Sequence, residues 1–139
     1  MRSNKEGNML KKLLLILLLV PTFAFSQDWA DDSNIDEFIS GTSAYGEDSP
    51  LVIVEFWAKF NDANSFADWK ELDIPYVRVD LSKAPAAKKK YKVRMAPTII
   101  LFKEGFKEEV WKAGLDLECP VTLSEIQEAI EAANQASQF

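Results

Sequence analysis

The sequence predicts an α/β domain with a mixed β-sheet and helices on both faces, ending in a β-hairpin and then a helix. Strand-like apolar runs alternate with helical segments, a pattern that indicates parallel strand pairs. The last two runs are separated only by Glu104 and Gly105, which indicates an antiparallel hairpin. Thr122 and Glu125 have the spacing of a capping box, so a final helix begins there.

The start of the chain has the pattern of a secretory signal peptide. Its basic residues are Arg2, Lys5, Lys11 and Lys12. The apolar run Leu13–Val20 follows, and Ala24–Ser26 places small residues before a cleavage at Gln27. This run is short of the roughly 20 apolar residues that span a membrane, so no span is expected after cleavage. We therefore predict a signal peptide at 1–26 and an exported domain at 27–139, periplasmic or extracellular.

Local patterns then predict the first half of the domain. Trp29 is expected in a loose N-terminal segment. A short helix is predicted over Asn34–Ser40, because its apolar residues lie on one face. The run Leu51–Ala58 is typical of a fully buried strand, broken only by Glu55. A second short helix is predicted across Phe66–Leu72.

The second half alternates in the same way. Tyr76–Leu81 has the alternating pattern of a strand, and Ser82–Lys92 is predicted to be helical. The hairpin strands are expected at Thr98–Lys103 and Lys107–Ala113. The last helix is predicted from Thr122 to about Ala136.

Composition excludes several kinds of chemistry. The 139 residues contain no histidine and one cysteine, which excludes a Ser-His-Asp triad, an imidazole metal ligand, a Cys-x-x-Cys pair and an internal disulfide. Sixteen basic against 22 acidic residues give a net charge of −6, which argues against nucleic acid as a partner. The basic stretch from Lys83 to Arg94 is interpreted as a solvated helix face. We expect neither a metal nor a cofactor.

Similarity to a known family lies in three segments, Val54–Phe60, Lys90–Thr98 and Ile99–Gly114. In that order they resemble the strand before the active-site motif, the segment with the cis-proline, and the following hairpin of the thioredoxin family. The resemblance covers about 34–136 and implies the thioredoxin-like fold. It also implies that Pro97 is the residue corresponding to the cis-proline.

The sequence departs from that family at its reactive motif. Where the family has Trp-Cys-Gly-Pro-Cys, this chain has the residues 60–64, Phe-Asn-Asp-Ala-Asn. In the family one thiolate attacks a disulfide and the other resolves the mixed disulfide, and the amides of Asn61 and Asn64 can do neither. Two interpretations remain open: a well-capped helix start on a retained scaffold, or a polar contact patch beside Pro97.

The resemblance favours an exported module without redox chemistry that binds a protein or an extended peptide segment. The expected mode is strand-like backbone pairing at the residue before the proline. The residues predicted to line the binding groove are Phe60, Asn61, Asp62, Asn64, Met95, Ala96 and Pro97. The oligomeric state stays open.

The alternative function is thiol-disulfide exchange through the single thiol of Cys119. The simpler interpretation is an inert and largely buried thiol, because free cysteine is among the most buried residue types. The neighbouring carboxylates of Asp116 and Glu118 would raise the pKa of a thiol.

Glu55 is predicted to have a structural role. It interrupts a buried strand and, by the resemblance, takes the place of the family's buried acid. Lys59 and Lys83 are the candidate ion-pair partners.

Overall fold

The structure, a computed structural model, describes residues 28–40 and 51–136. The strands are β1 (Asp28–Ala30), β2 (Leu51–Trp57), β3 (Tyr76–Asp80), β4 (Thr98–Lys103) and β5 (Phe106–Lys112). They form one sheet in the order β1-β3-β2-β4-β5. Strand β3 runs parallel to β1 and β2, whereas β4 runs antiparallel to β2 and β5. The predicted mixed sheet with its terminal hairpin is confirmed. The predicted signal peptide lies outside the described residues.

Within the described residues, three α-helices accompany this sheet: α1 (Ile35–Ser40), α2 (Pro85–Lys90) and α3 (Leu123–Ala136). Short 3-10 helices cover Lys59–Asn64, Trp69–Glu71 and Leu81–Lys83. The predicted capping box starts α3. The Thr122 N–H donates to Glu125 Oε2 at 2.9 Å, and the Glu125 N–H donates to Thr122 Oγ1 at 3.2 Å.

The sheet has a hydrophobic core on each face, because alternate residues of its central strands point to opposite sides. On one face, Val54 and Phe56 of β2 pack in a cluster with residues of α1 and α2. On the other face, Leu51 and Ile53 share a cluster with Ile126 of α3. The prediction of helices on both faces is therefore confirmed.

The N-terminal segment is more ordered than its sequence predicted. Trp29 lies in β1, where it is in register with Arg78 of β3. Its exposed ring meets the ring of Trp57 edge-on, with 5.1 Å between the centroids. The prediction of a loose segment is wrong because β1 gains backbone pairing along the edge of β3.

The helix predicted over Phe66–Leu72 is also wrong, since only Trp69–Glu71 forms a 3-10 turn. Both backbone groups of Phe66 serve buried side chains instead of a helix. Its N–H donates to Glu55 Oε1 at 3.2 Å, and its carbonyl accepts from Arg78 Nη2 at 3.3 Å. Apolar spacing alone cannot reveal this competition for the backbone.

The helix predicted over Ser82–Lys92 is shorter in the structure. Residue Ala84, with φ −136° and ψ 57°, separates the 3-10 turn from α2. Such a break is expected before Pro85, because the ring disfavours helical geometry at the preceding residue. Lys92 follows α2 with a positive φ of 56°.

A carboxylate from a distant segment caps α2. Asp32 accepts from the N–H groups of Ala86 at 3.0 Å and Ala87 at 2.8 Å. These contacts satisfy donors that a helix start leaves unpaired. In the two described stretches of chain, no helix has the length and apolar character needed to cross a membrane.

Replacement of this cap should destabilise the fold. We expect Asp32→Ala to lower the free energy of unfolding by about 1–2 kcal/mol, because two helix N–H groups lose their acceptor. Denaturant titration measures the change. Glu128→Ala, at an exposed position of α3, is the matched control and should change little. Equal losses in both variants would contradict the capping role.

Candidate functional site

The candidate site begins where the central strand β2 ends. Ala58 is extended, with φ −129° and ψ 135°, and the chain then enters the 3-10 helix Lys59–Asn64. Asn61 breaks the helical geometry inside this segment, with φ −119° and ψ 25°. Its N–H donates to the Ala58 carbonyl at 3.0 Å. The N-cap position of this 3-10 helix is Ala58, and it has no side-chain cap hydrogen bond.

The Asn61 amide joins three separate parts of the chain. Its Nδ2 donates to the carbonyl of Ala96 at 2.8 Å and to the carbonyl of Leu117 at 2.9 Å. Its Oδ1 accepts from Asn64 Nδ2 at 2.7 Å. The assignment of the amide is unambiguous, because two carbonyls can face only the NH₂ group. The helix-cap interpretation of Asn61 is therefore wrong: it is a clamp between loops.

The loop after β5 presents the second of these carbonyls. Leu117 has a left-handed backbone, with φ 59°, and its N–H donates to the Gly114 carbonyl at 3.0 Å. A branched residue in this region is strained and persists only where its surroundings hold it. The bond from Asn61 supplies part of that support, so this loop and the Asn61 turn are fixed together.

The third segment contains Pro97. The Ala96–Pro97 peptide bond is cis, and both residues are buried. The Pro97 carbonyl accepts from the Ala113 N–H at 3.0 Å, which fixes the segment to the end of the hairpin. The Ala96 carbonyl accepts from Asn61, so one of its two lone pairs is engaged within the protein.

Two exposed apolar side chains flank this clamp in the sequence, among exposed charged residues such as Asp62 and Asp116. Phe60 is next to Asn61 and is 77% exposed, and Leu115, two residues before Leu117, is fully exposed. Met95 is half-buried, and the exposed carboxylate of Asp62 accepts from the indole of Trp57 at 2.8 Å. We call Phe60 and Leu115 the apolar rim. Sequence reasoning missed Leu115, although an apolar residue within the polar turn Gly114–Glu118 was a usable signal.

Glu55 lies in the core, with none of its area exposed. Its Oε1 accepts from the hydroxyl of Tyr76, from the Phe66 N–H and, at a longer 3.4 Å, from Arg78 Nη2. Its Oε2 has no hydrogen-bond partner among the described residues. Burial raises the pKa of Glu55, and the charge of Arg78 opposes that increase.

The predicted ion-pair partners of Glu55, Lys59 and Lys83, are both wrong. These lysines are exposed, and Arg78 on the neighbouring strand is the cation that faces Glu55. The register explains the pairing, because Glu55 and Arg78 lie opposite each other in the parallel strands β2 and β3.

Cys119 is half-buried and packs against the core on the α3 face. Its Sγ contacts the Val121 carbonyl at 3.4 Å. Burial raises the pKa of the thiol, and the negative charges of Glu55 and Asp68 raise it further. The thiol therefore carries little thiolate at neutral pH, which is the form that attacks disulfides. Within 28–40 and 51–136, no group of three or more Cys, Asp or Glu side chains could hold a metal ion.

Solved structures with a similar fold are thioredoxins. A mutant thioredoxin from Halobacterium salinarum has a TM-score of 0.60 at 17% identity, covering 81% of this chain and 94% of its own. Thioredoxin from Schistosoma mansoni has a TM-score of 0.58 at 19% identity, covering 78% and 96%. A chain from the complex of ferredoxin:thioredoxin reductase with thioredoxin f2 has a TM-score of 0.61 at 14% identity. The match covers 81% of this chain and 99% of that one.

No protein-family model and no curated protein matches the chain. The structural neighbours establish the fold: this chain is thioredoxin-like, with a five-stranded mixed sheet and helices on both faces. The resemblance inferred from sequence is thus confirmed at the level of fold. At the two positions where the resemblance places cysteines, the chain has Asn61 and Asn64.

The Asn61 clamp makes a prediction about charge. Asn61→Ala should lower the free energy of unfolding by about 1–3 kcal/mol, because two part-buried carbonyls lose their donor. Asn61→Asp should lower the stability further at neutral pH, because a carboxylate would face those carbonyls. The stability of this variant should recover when acid protonates the carboxylate. Denaturant titrations at pH values on both sides of the carboxyl pKa measure both effects. Ala63→Asp, at an exposed position in the same turn, is the control. An equal pH response in both Asp variants would contradict the clamp.

Glu55 makes a second prediction. The pKa of Glu55 is higher in the folded state than in the unfolded chain. Its contribution to the free energy of unfolding is therefore fully present below the unfolded pKa, and it is lost as pH rises through the folded pKa. The stability of the wild type relative to Glu55→Gln should therefore fall as pH rises above about 4. Glu55→Leu should lose about 2–4 kcal/mol, because it removes the acceptor of the Tyr76 hydroxyl and of the Phe66 N–H and the carboxyl that faces Arg78.

Denaturant titration across the pH range measures these differences. The Gln and Leu variants serve as each other's control, since only Gln keeps the acceptor. Identical stability of the two variants would contradict the buried network.

Proposed function

We propose that this protein is an exported, thioredoxin-like binding module that has no redox activity and holds a protein or peptide partner at its apolar rim. The observation that carries the proposal is the Asn61 clamp: an amide with all its polar groups engaged occupies the place expected for a reactive thiol. The signal-peptide pattern of residues 1–26 supports export.

We propose recognition through exposed side chains, while strand-like backbone pairing at Ala96 stays a prediction. Ala96 and Pro97 are buried, and the Ala96 carbonyl is engaged, so these residues form a support beneath the surface. Phe60 and Leu115 extend from two loops that the clamp holds in fixed positions. Exposed aromatic and aliphatic side chains on a rigid support are suitable anchors for a partner, because little ordering is needed on binding.

Two further observations support a binding role. The only thiol in the chain, Cys119, has a raised pKa and is half-buried, which is unfavourable for nucleophilic attack. One of the similar solved structures is a complex between ferredoxin:thioredoxin reductase and thioredoxin f2, so the fold is compatible with a protein partner.

Photo-crosslinking in the native envelope tests the proposal. A benzophenone amino acid at position 60 should capture a specific partner, whereas the same group at position 106 should not. Phe106 is the matched control, because it is 75% exposed on the hairpin. The captured protein should bind the purified domain about tenfold or more weakly after Phe60→Ser or Leu115→Ser, and normally after Phe106→Ser.

A disulfide-reduction assay tests whether the domain has redox activity. With a disulfide peptide and dithiothreitol, the purified domain should add nothing to the uncatalysed rate. Turnover at a rate typical of thioredoxins that disappears in Cys119→Ser would overturn the proposal in favour of thiol chemistry.

A further inference from the structure

A basic groove lies beside the candidate site, between α2 and the segment that leads to Pro97. It has a volume of about 300 Å³. Its lining residues are Pro85, Lys88, Lys89, Lys92, Val93 and Arg94. Four of these six carry a positive charge and none is acidic, in a chain whose net charge is −6. We call this feature the basic groove.

The cations of the groove are available to a ligand. Within 28–40 and 51–136, ion pairs involve Arg78 and Lys90 but none of the groove's four cations. Lys90, on the same helix, differs because its ammonium contacts Asp36 at 3.0 Å. All four groove cations are exposed. Solvent, salt, the carbonyl end of α2 and an anionic ligand can each relieve their mutual repulsion.

The backbone around the groove does not favour a free phosphate. Phosphate sites commonly use several converging backbone N–H groups. Here the N–H of Lys88 donates to Ala84, that of Lys92 to Lys89, and that of Val93 to Lys88. Recognition therefore depends on long, flexible side chains, which suit several carboxylates spread along a segment better than one compact anion.

The surroundings of the groove do not favour a membrane surface either. Helix α1 packs in the same core cluster as α2 and carries the exposed carboxylates of Asp36 and Glu37. A flat anionic bilayer would meet these charges together with the basic groove.

The segment from Arg94 to Pro97 links the groove to the candidate site. Arg94 is three residues before Pro97, so their Cα atoms are at most about 11 Å apart. The Asn61 amide donates to the carbonyl of Ala96, two residues after Arg94, so the Arg94 end of the groove lies near the turn that carries Phe60.

We propose that the basic groove binds an acidic segment, rich in Asp and Glu, of the same protein partner that the apolar rim contacts. This inference rests on the proposed function for the identity of the partner. The groove supplies charge selectivity and the rim supplies apolar anchoring. Multiple weak contacts along one segment then act together, because the rim holds the segment near the groove.

The first experiment needs no partner. Fluorescence anisotropy should show binding of a labelled hexaglutamate peptide and none of a hexaglutamine peptide. The charge-reversal pair Lys88→Glu with Arg94→Glu should weaken binding about tenfold, because two attractive contacts become repulsive. Lys70→Glu with Lys112→Glu is the matched control, with the same change in net charge at exposed positions outside the groove. It should bind the peptide nearly as the wild type does.

Competitors distinguish the other ligands. Inorganic phosphate should compete no better than chloride at equal ionic strength, and vesicles of phosphatidylserine and phosphatidylcholine should not bind. Strong competition by phosphate would overturn the proposal in favour of a small-anion site. Vesicle binding that the groove variant abolishes would overturn it in favour of a membrane surface. Equal peptide binding by the groove variant and its control would overturn the site itself.

The captured partner provides the second experiment. Its affinity should fall on raising the salt concentration, and the groove variant should lose most of that dependence. If Phe60→Ser does not weaken binding of the partner while the peptide still binds, the proposed function is wrong, but the basic groove still binds an acidic ligand. Failure of peptide binding, with the effects of Phe60→Ser intact, removes only the groove.

Discussion

The Asn61 side-chain amide is the contact on which the candidate site depends. It bonds to carbonyls 35 and 56 residues further along the chain, so one planar group sets the spacing of three loops. A thiol at this position has a single weak donor and could not satisfy both carbonyls. The amide of Asn61 therefore holds two carbonyls in place, whereas a thiolate at this position would be a nucleophile. One side chain cannot do both.

The buried carboxyl of Glu55 is a second constraint on the structure. Three donors converge on one of its oxygens, and two of them come from the neighbouring strand β3. The third donor, the Phe66 N–H, draws the chain after the Asn61 turn into the core and prevents a regular helix there. The buried acid therefore fixes the backbone at Phe66, although it is not itself exposed. Its pairing with Arg78 is consistent with a role in specifying one arrangement of this segment.

Much of the fold could be predicted because it depends on local patterns. The hairpin at Glu104-Gly105, the capping box at Thr122 and the buried run of β2 each reflect nearby residues. Strand β1 was missed because its three residues gain order only by pairing with β3. The clamp was missed because asparagine in a turn fits both capping and bridging, and only the distant carbonyls decide between them. Leu115 required knowledge of which loop lies beside Asn61.

The outer strand β5 has a consequence for how the molecule meets others. It lies at the edge of the sheet, almost entirely exposed, and carries Lys107, Glu108, Glu109 and Lys112 between its apolar residues. Charges on an open edge discourage a second sheet from adding to it, because they would have to lose hydration on stacking. The hairpin side is thereby protected against edge-to-edge aggregation.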